Sequence, residues 1–176
     1  MIIGIDVSQI VYQTGVGNYL KELVDHLLEI DKKNNYIFFA SSLRQNKKLH
    51  KLALTYTQKN ITWKIFTMPP TMLDLLWNKL HILPIEWLIG KIDVFLSSDW
   101  TQPPTRAKKA TILYDLVVYK YPKETAQKIV EVHKRRLLWV KKECDIIFCI
   151  SEATRKDARE LLDISENKLA VIYPGR

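Results

Sequence analysis

The 176-residue chain reads as an α/β domain, a doubly wound and mainly parallel sheet with helices on both faces. Three observations predict this. Short apolar runs alternate along the chain with segments of helical periodicity. Most of those runs are continuously apolar, the pattern of strands buried on both faces. The composition, 47% apolar and 26% charged, belongs to a globular chain and excludes disorder, and the length fits one ordinary domain.

The elements follow in order. Ile2 to Val7 is a buried strand starting at the second residue. After a polar stretch, Tyr19, Leu20, Leu23, Val24, Leu27 and Leu28 recur at spacings of three and four, which puts them on one helical face. Tyr36–Ala40 and Ile61–Phe66 are strands, with a Lys-rich helical connection over Leu43–Leu54 between them. Pro69-Pro70 stops the preceding element; Thr71–Leu80 then reads as a helix, and Pro84 opens a second short one through Ile89. Val94–Ser97 and Ala110–Leu113 are further strands. A long helix over roughly Lys123–Glu143 leads into the strand Asp145–Ile150. Ser151 caps a helix ending near Leu162, and Leu169–Tyr173 is the last strand. The sequence then ends on Pro174-Gly175-Arg176 with no closing helix, so the chain is expected to be the first part of something longer.

The charge is uneven. The chain carries a formal +8, and between Tyr119 and Lys142 eight basic residues face two acidic ones, so six of the eight surplus charges lie in that stretch. A uniformly basic, histone-like protein is excluded; a local basic surface is predicted. On a helical wheel Ala126, Ile129, Val130, His133, Leu137 and Val140 form the buried stripe, with His133 read as a core residue. Lys128, Arg135 and Lys142 lie opposite, with Trp139 among them. An indole amid cations on an outward face suggests contact with an anionic membrane surface or with another part of the protein, and Trp77 and Trp87 could extend it. The alternative is that Trp139 packs under a loop. No nucleic-acid motif accompanies the charge, so nucleic acid is not expected as a partner.

No apolar stretch of about 18 residues exists, so no transmembrane helix is predicted. The start Met1-Ile2-Ile3-Gly4-Ile5-Asp6 lacks the form of a signal peptide, which favours the cytoplasm. Cys144 and Cys149, five residues apart at one strand, read as buried free thiols.

In such a sheet, ligands bind outside the carboxyl ends of the strands. Four loops there carry candidate groups. Gly15-Val16-Gly17-Asn18 opens the first helix, where backbone N–H groups suit an anion, although two glycines in a turn are often structural. Leu20 stands where a dinucleotide fingerprint needs its third glycine, and no carboxylate follows the second strand, so nicotinamide and flavin binding are rejected. Walker A loops, serine-hydrolase elbows and zinc-protease motifs are absent as well. Tyr114-Asp115 puts a carboxylate at the end of a central strand, where it lines a cleft or caps an amide. Ser97-Ser98-Asp99-Trp100 places polar groups and a large aromatic at the same rim. Ser151-Glu152-Ala153-Thr154 doubles as a conventional helix cap.

Taken together, these loops resemble the N-terminal domain of glycosyltransferase family 4, retaining enzymes of the GT-B fold. The resemblance runs from Ile3-Gly4-Ile5-Asp6 and Gly15-Val16-Gly17-Asn18-Tyr19, through Asp93-Val94-Phe95 with Ser97 and Asp99-Trp100, to Ile112-Leu113-Tyr114-Asp115-Leu116 and Tyr121-Pro122. It is most specific in Cys149-Ile150-Ser151-Glu152-Ala153-Thr154-Arg155-Lys156-Asp157 and Val171-Ile172-Tyr173-Pro174-Gly175.

The resemblance implies residues 1–173 as an acceptor-side, Rossmann-like half, 174–176 as the start of an interdomain linker, and a donor-binding C-terminal domain beyond. It implies sugar transfer from a nucleotide-sugar co-substrate to a glycan or lipid-linked acceptor, with retention, no cofactor and no metal. Gly15 and Gly17 match the loop approaching the donor phosphates. Asp115 matches the acid of a His-Asp pair whose histidine is replaced by Tyr114. Ser151, Glu152 and Thr154 match a motif near the acceptor cleft, and Asn18, Asp99 and Trp100 fall among the substrate-facing residues. The isolated half is expected to be inactive. The runner-up is a non-catalytic α/β module binding a small anion or a protein partner.

Overall fold

The structure, a computed structural model, describes residues 1–175. Seven strands form one sheet: β1 (Ile2–Asp6), β2 (Asn35–Ser41), β3 (Ile61–Phe66), β4 (Val94–Ser97), β5 (Lys108–Leu113), β6 (Ile146–Cys149) and β7 (Leu169–Val171). Their order is β3-β2-β1-β4-β5-β6-β7, and every pairing is parallel. This is the doubly wound, Rossmann-like α/β arrangement. The strand order reverses between β1 and β4, and that is where such sheets open a crevice.

The helices are α1 (Gly15–Ile30), α2 (Asn46–Ala53), α3 (Pro70–Leu73), α4 (Glu86–Ile89), α5 (Val117–Lys120), α6 (Gln127–Glu143) and α7 (Glu152–Leu162). Alternation of side chains along the strands builds a core on each face. Tyr36, Phe38 and Ala40 of β2 join Leu20, Val24 and Leu28 of α1 and Leu49 of α2 on one side. Phe39 faces the other way, against Trp77, Phe95 and Ile89. Next to that cluster Leu137 and Val140 of α6, with Ala158 and Leu162 of α7, cover Ile147 and Cys149. Each of these large apolar side chains contributes about 1.5–3 kcal/mol by leaving water.

β3 and β4 fall on the predicted residues, and the other strands shift by two residues or fewer at each end. Three departures matter more. The helix expected over Thr71–Leu80 begins at Pro70 and widens into a π-helical turn over Asp74–Lys79. That widening tucks Trp77 fully into the core, its indole N–H donating to the Leu83 carbonyl at 3.0 Å. His81 and Leu83 then adopt positive φ, 51° and 66°, as the chain reverses. The long helix starts at Gln127 rather than Lys123, and Ala126 caps it from an exposed position. The stripe predicted for α6 also changes: Ile129 is exposed, while Arg136 is fully buried.

Among the described residues no helix is long and apolar enough to cross a membrane.

Candidate functional site

The carboxyl ends of β1, β4, β5 and β6 converge on one crevice. Its floor is Asp6, the last residue of β1. Asp6 is buried, and its Oδ1 accepts the Ser8 hydroxyl at 2.6 Å and the Ser8 N–H at 2.9 Å. Burial raises its pKa, opposed by the bonds from Ser8 and by the positive charge of Arg136. Ser8 in turn accepts the Ser41 N–H at 2.9 Å, fastening β1 to β2 at the rim.

One wall is the start of α1. Thr14 caps it, its hydroxyl accepting the Gly17 N–H at 3.1 Å. That bond corrects the reading of Gly17 as a phosphate contact. Its N–H is used by the cap, the residue is buried, and a Cβ there would lie 2.3 Å from the Tyr12 carbonyl oxygen and 2.6 Å from that of Gln9. Glycine is required at 17 by backbone crowding. Gly15 differs: it is exposed, with nothing within 4 Å of where a Cβ would sit. Gly15 and Asn18 line a cleft of about 460 Å³ with Tyr19, Tyr114, Asp115 and Pro174.

The opposite wall is built from β4, β5 and α6, and its key is a residue the sequence reading missed. Arg136 lies beneath the crevice with no exposed surface. Its Nε donates to the Ser98 carbonyl at 3.0 Å; one terminal nitrogen donates to the Thr111 hydroxyl at 2.7 Å and the Ile112 carbonyl at 3.2 Å. The other sits 3.5 Å from the Asp99 carboxylate with no hydrogen bond of its own. A buried guanidinium thus ties the ends of β4 and β5 together and holds Asp99 at the rim.

Around Asp99 stand Trp100, Tyr114 and His133. The Trp100 and His133 rings meet edge to face at 5.3 Å. Tyr114 packs edge to face on Tyr19 at 5.4 Å, and burial, with the nearby Asp99 charge, holds its hydroxyl well above the usual phenol range. His133 is half-buried here instead of belonging to the core. Burial pushes its pKa down, an effect that Arg136 reinforces and Asp99 and Asp115 oppose. A neutral imidazole at pH 7 follows. Among the described residues, no hydrogen bond engages the carboxylate of Asp99, the ring nitrogens of His133, the indole N–H of Trp100 or the hydroxyl of Tyr114. A carboxylate paired only in charge with Arg136, and an imidazole, an indole donor and a phenol without hydrogen-bond partners, offer both donors and acceptors to a ligand at one rim. Asp115 is exposed beside them, one oxygen accepting the Val117 N–H at 3.0 Å and the other directed to no protein donor.

The α7 start contributes mainly support. Ser151 accepts the Thr154 N–H at 3.1 Å as the helix cap, and the buried Thr154 hydroxyl donates to the Tyr114 carbonyl at 3.1 Å. Thr154 therefore fixes the backbone of Tyr114-Asp115 and is not open to a ligand. Glu152 is exposed and paired with Arg155 at 3.3 Å.

The outward face read on α6 is corrected. Arg135 is bonded to the buried Asp74 at 2.6 Å. The Trp139 indole donates to the Asn78 carbonyl at 2.9 Å and stacks on His81 at 3.6 Å. Both pack under the π-helical turn, which covers a helix face that periodicity alone leaves outside. Lys128 and Lys142 remain exposed, Lys142 lying 4.9 Å over the Trp139 ring.

Cys144 and Cys149 are buried free thiols, and burial pushes both up to about 11, so neither is a ready nucleophile at pH 7. Among the described residues no group of His, Cys, Asp and Glu is arranged to hold a metal ion. Comparison with protein-family models and with curated proteins gives no match.

Proposed function

We propose that this chain is the acceptor-side half of a retaining glycosyltransferase, moving a sugar from a nucleotide-sugar donor to a glycan or lipid-linked acceptor. The observation that carries the reading is the set of groups at the rim that make no hydrogen bond within the protein, Asp99, Trp100, Tyr114 and His133, Asp99 being paired only in charge with Arg136. Sugars present hydroxyls that both give and take hydrogen bonds and apolar ring faces that lie against aromatic side chains. This rim supplies each of those. Asp99, fixed by Arg136, is the strong acceptor for a hydroxyl, and Trp100 supplies the aromatic surface.

Asp115 remains the candidate nearest the reacting centre, flanked by the open Gly15 turn. The free N–H groups at the start of α1 present partial positive charge toward that cleft, the polarity a diphosphate needs. His133 brings an imidazole to a rim whose sequence motif has Tyr114 in place of histidine. In the mechanism implied, the leaving diphosphate helps remove the acceptor proton, so the rim residues orient hydroxyls and need not act as a strong base. The donor's nucleotide would be held by a domain beyond this sequence.

The test is sugar transfer by the product of the complete reading frame, offered a panel of nucleotide sugars with the anomeric configuration of the product determined. Retention, with loss of transfer in Asp99→Asn, is the expected result. Robust turnover by residues 1–176 alone, or inversion, refutes the proposal.

A further inference from the structure

The segment between β3 and β4 solves its packing in an unusual way. Trp77, Leu73, Ile85 and Ile89 go into the core, yet Leu75, Leu80, Ile82 and Trp87 stay at 46%, 55%, 51% and 76% exposure. Backbone bonds close the turn that carries Leu75, Leu80 and Ile82, and Trp87 follows on α4. The Leu80 N–H donates to the Leu75 carbonyl and the Ile82 N–H to the Leu76 carbonyl, both at 2.9 Å. On α6, Leu138 is 66% exposed, next to Trp139, which stacks on His81 of the same segment. Scattered apolar side chains are normal on a surface; a run of them along one segment and the adjoining helix is not.

The charges around this run that lack a protein partner are positive. Each carboxylate of the segment has a protein partner, although Asp93 is exposed, and on α6 the exposed Glu131 lies 3.8 Å from Arg135. Asp74 is bonded to Arg135, and Glu86 accepts from Thr105 and the Arg106 N–H. Asp93 takes the Ile2 N–H, and on α6 Glu143 is shared by His81 and Lys109. The cations are different: Lys79, Lys91 and Lys142 are exposed and, among the described residues, in no ion pair. Two copies of such a face would set like charges against each other, so self-association is disfavoured. An anionic, amphipathic partner is favoured, with phosphates for the lysines and hydrocarbon for the leucines and the indole.

We infer that this face, the 75–91 segment with the adjoining side of α6, binds an anionic lipid surface, Leu80, Ile82 and Trp87 entering the interfacial region while Lys79, Lys91 and Lys142 meet headgroup phosphates. The inference moves the lipid contact off Arg135 and Trp139, and it stands on this surface whether or not the chain belongs to a transferase.

Sedimentation of the 176-residue chain with phosphatidylcholine vesicles containing about one-third phosphatidylglycerol tests it. The wild-type chain is expected to co-sediment, and to be released by salt or by omission of the anionic lipid. Ile82→Glu with Trp87→Glu should lower the bound fraction about tenfold, and Lys79→Glu with Lys142→Glu should do the same. Leu54→Glu, at a residue 80% exposed beyond the end of α2, should bind like wild type. All of these sites are exposed, and circular dichroism checks that the fold is kept. Absence of wild-type binding, unchanged binding by both double variants, or a dimer that Ile82→Glu with Trp87→Glu dissolves, overturns the inference.

Discussion

Two clusters at opposite ends of α6 are made of the same parts and end differently. Near the helix start, His133 meets Trp100, with Asp99 and the buried Arg136 beside them. Near its end, His81 stacks on Trp139, with Glu143 and the buried Lys109 beside them. At the second cluster nearly every polar atom has a partner. One His81 nitrogen reaches the Trp77 carbonyl and the other Glu143, both at 2.8 Å; Glu143 also takes Lys109, and Trp139 donates to Asn78. At the first cluster the arginine is tied down with Asp99 3.5 Å away, but the carboxylate, imidazole and indole make no hydrogen bond within the protein. A saturated cluster is a joint. An unsaturated one, at the carboxyl ends of parallel strands, is where the proposed substrate would be held.

The largest effect should come from the buried cation they share in kind. Arg136→Met should destabilise the fold by about 3–5 kcal/mol, read from urea unfolding, because it strips the Ser98 and Ile112 carbonyls of their partner and leaves Asp99 unopposed. At the saturated joint, Glu143→Ala should cost about 2 kcal/mol in the same measurement. It leaves Lys109 buried without its counter-ion, but the carboxylate is about a quarter exposed, so water already screens part of the interaction. Thr14→Ala, which removes the α1 cap beside Gly15, should cost about 1 kcal/mol.

No larger are the effects on stability at the rim. Asp99→Asn, which removes the carboxylate 3.5 Å from the buried Arg136 but leaves that residue its hydrogen bonds, should cost about 1 kcal/mol. His133→Gln should change unfolding free energy by less than about 1 kcal/mol, since its ring holds no hydrogen bond within the protein. A loss above that would show that the rim is a joint after all. Their sharper signature is pH dependence. His133 has a lowered pKa in the folded state, so the unfolded chain binds the proton more readily. Its contribution to stability is therefore present above the ordinary histidine value and lost as pH falls through that value toward the folded one. The urea midpoint of His133→Gln should fall less than that of the wild type as pH drops below about 6.5.

The sheet was legible in the sequence because its signal is local. A run such as Val94-Phe95-Leu96-Ser97 or Ile146-Ile147-Phe148-Cys149 is too short and too apolar to be anything but a buried strand in an alternating chain. The rim was half legible: Asp99, Trp100, Tyr114 and Asp115 are the residues that directly follow β4 and β5. What failed depends on neighbours far along the chain. Arg136 is one more basic residue of the 119–142 stretch in the sequence, because a lone charge carries no mark of the carbonyls that receive it. His133 reads as core because the wheel shows which face turns inward and not where along that face the crevice opens. Arg135 and Trp139 read as outward because nothing in the spacing of Asp74–Lys79 signals a π-helical turn that folds over them. Gly17 was found for the wrong reason, its crowding coming from the turn before the helix.

The most direct test of a rim built for a ligand against a joint built for stability is sugar transfer by the complete reading frame, measured per folded molecule for variants of each cluster. Asp99→Asn should lower kcat/KM by about 10- to 100-fold with only a small fall in melting temperature, the effect of losing a charged hydrogen bond to substrate. Glu143→Ala should lower the melting temperature and leave kcat/KM as it was. Transfer by Asp99→Asn at the parent rate, or a loss as large in Glu143→Ala, would contradict the account.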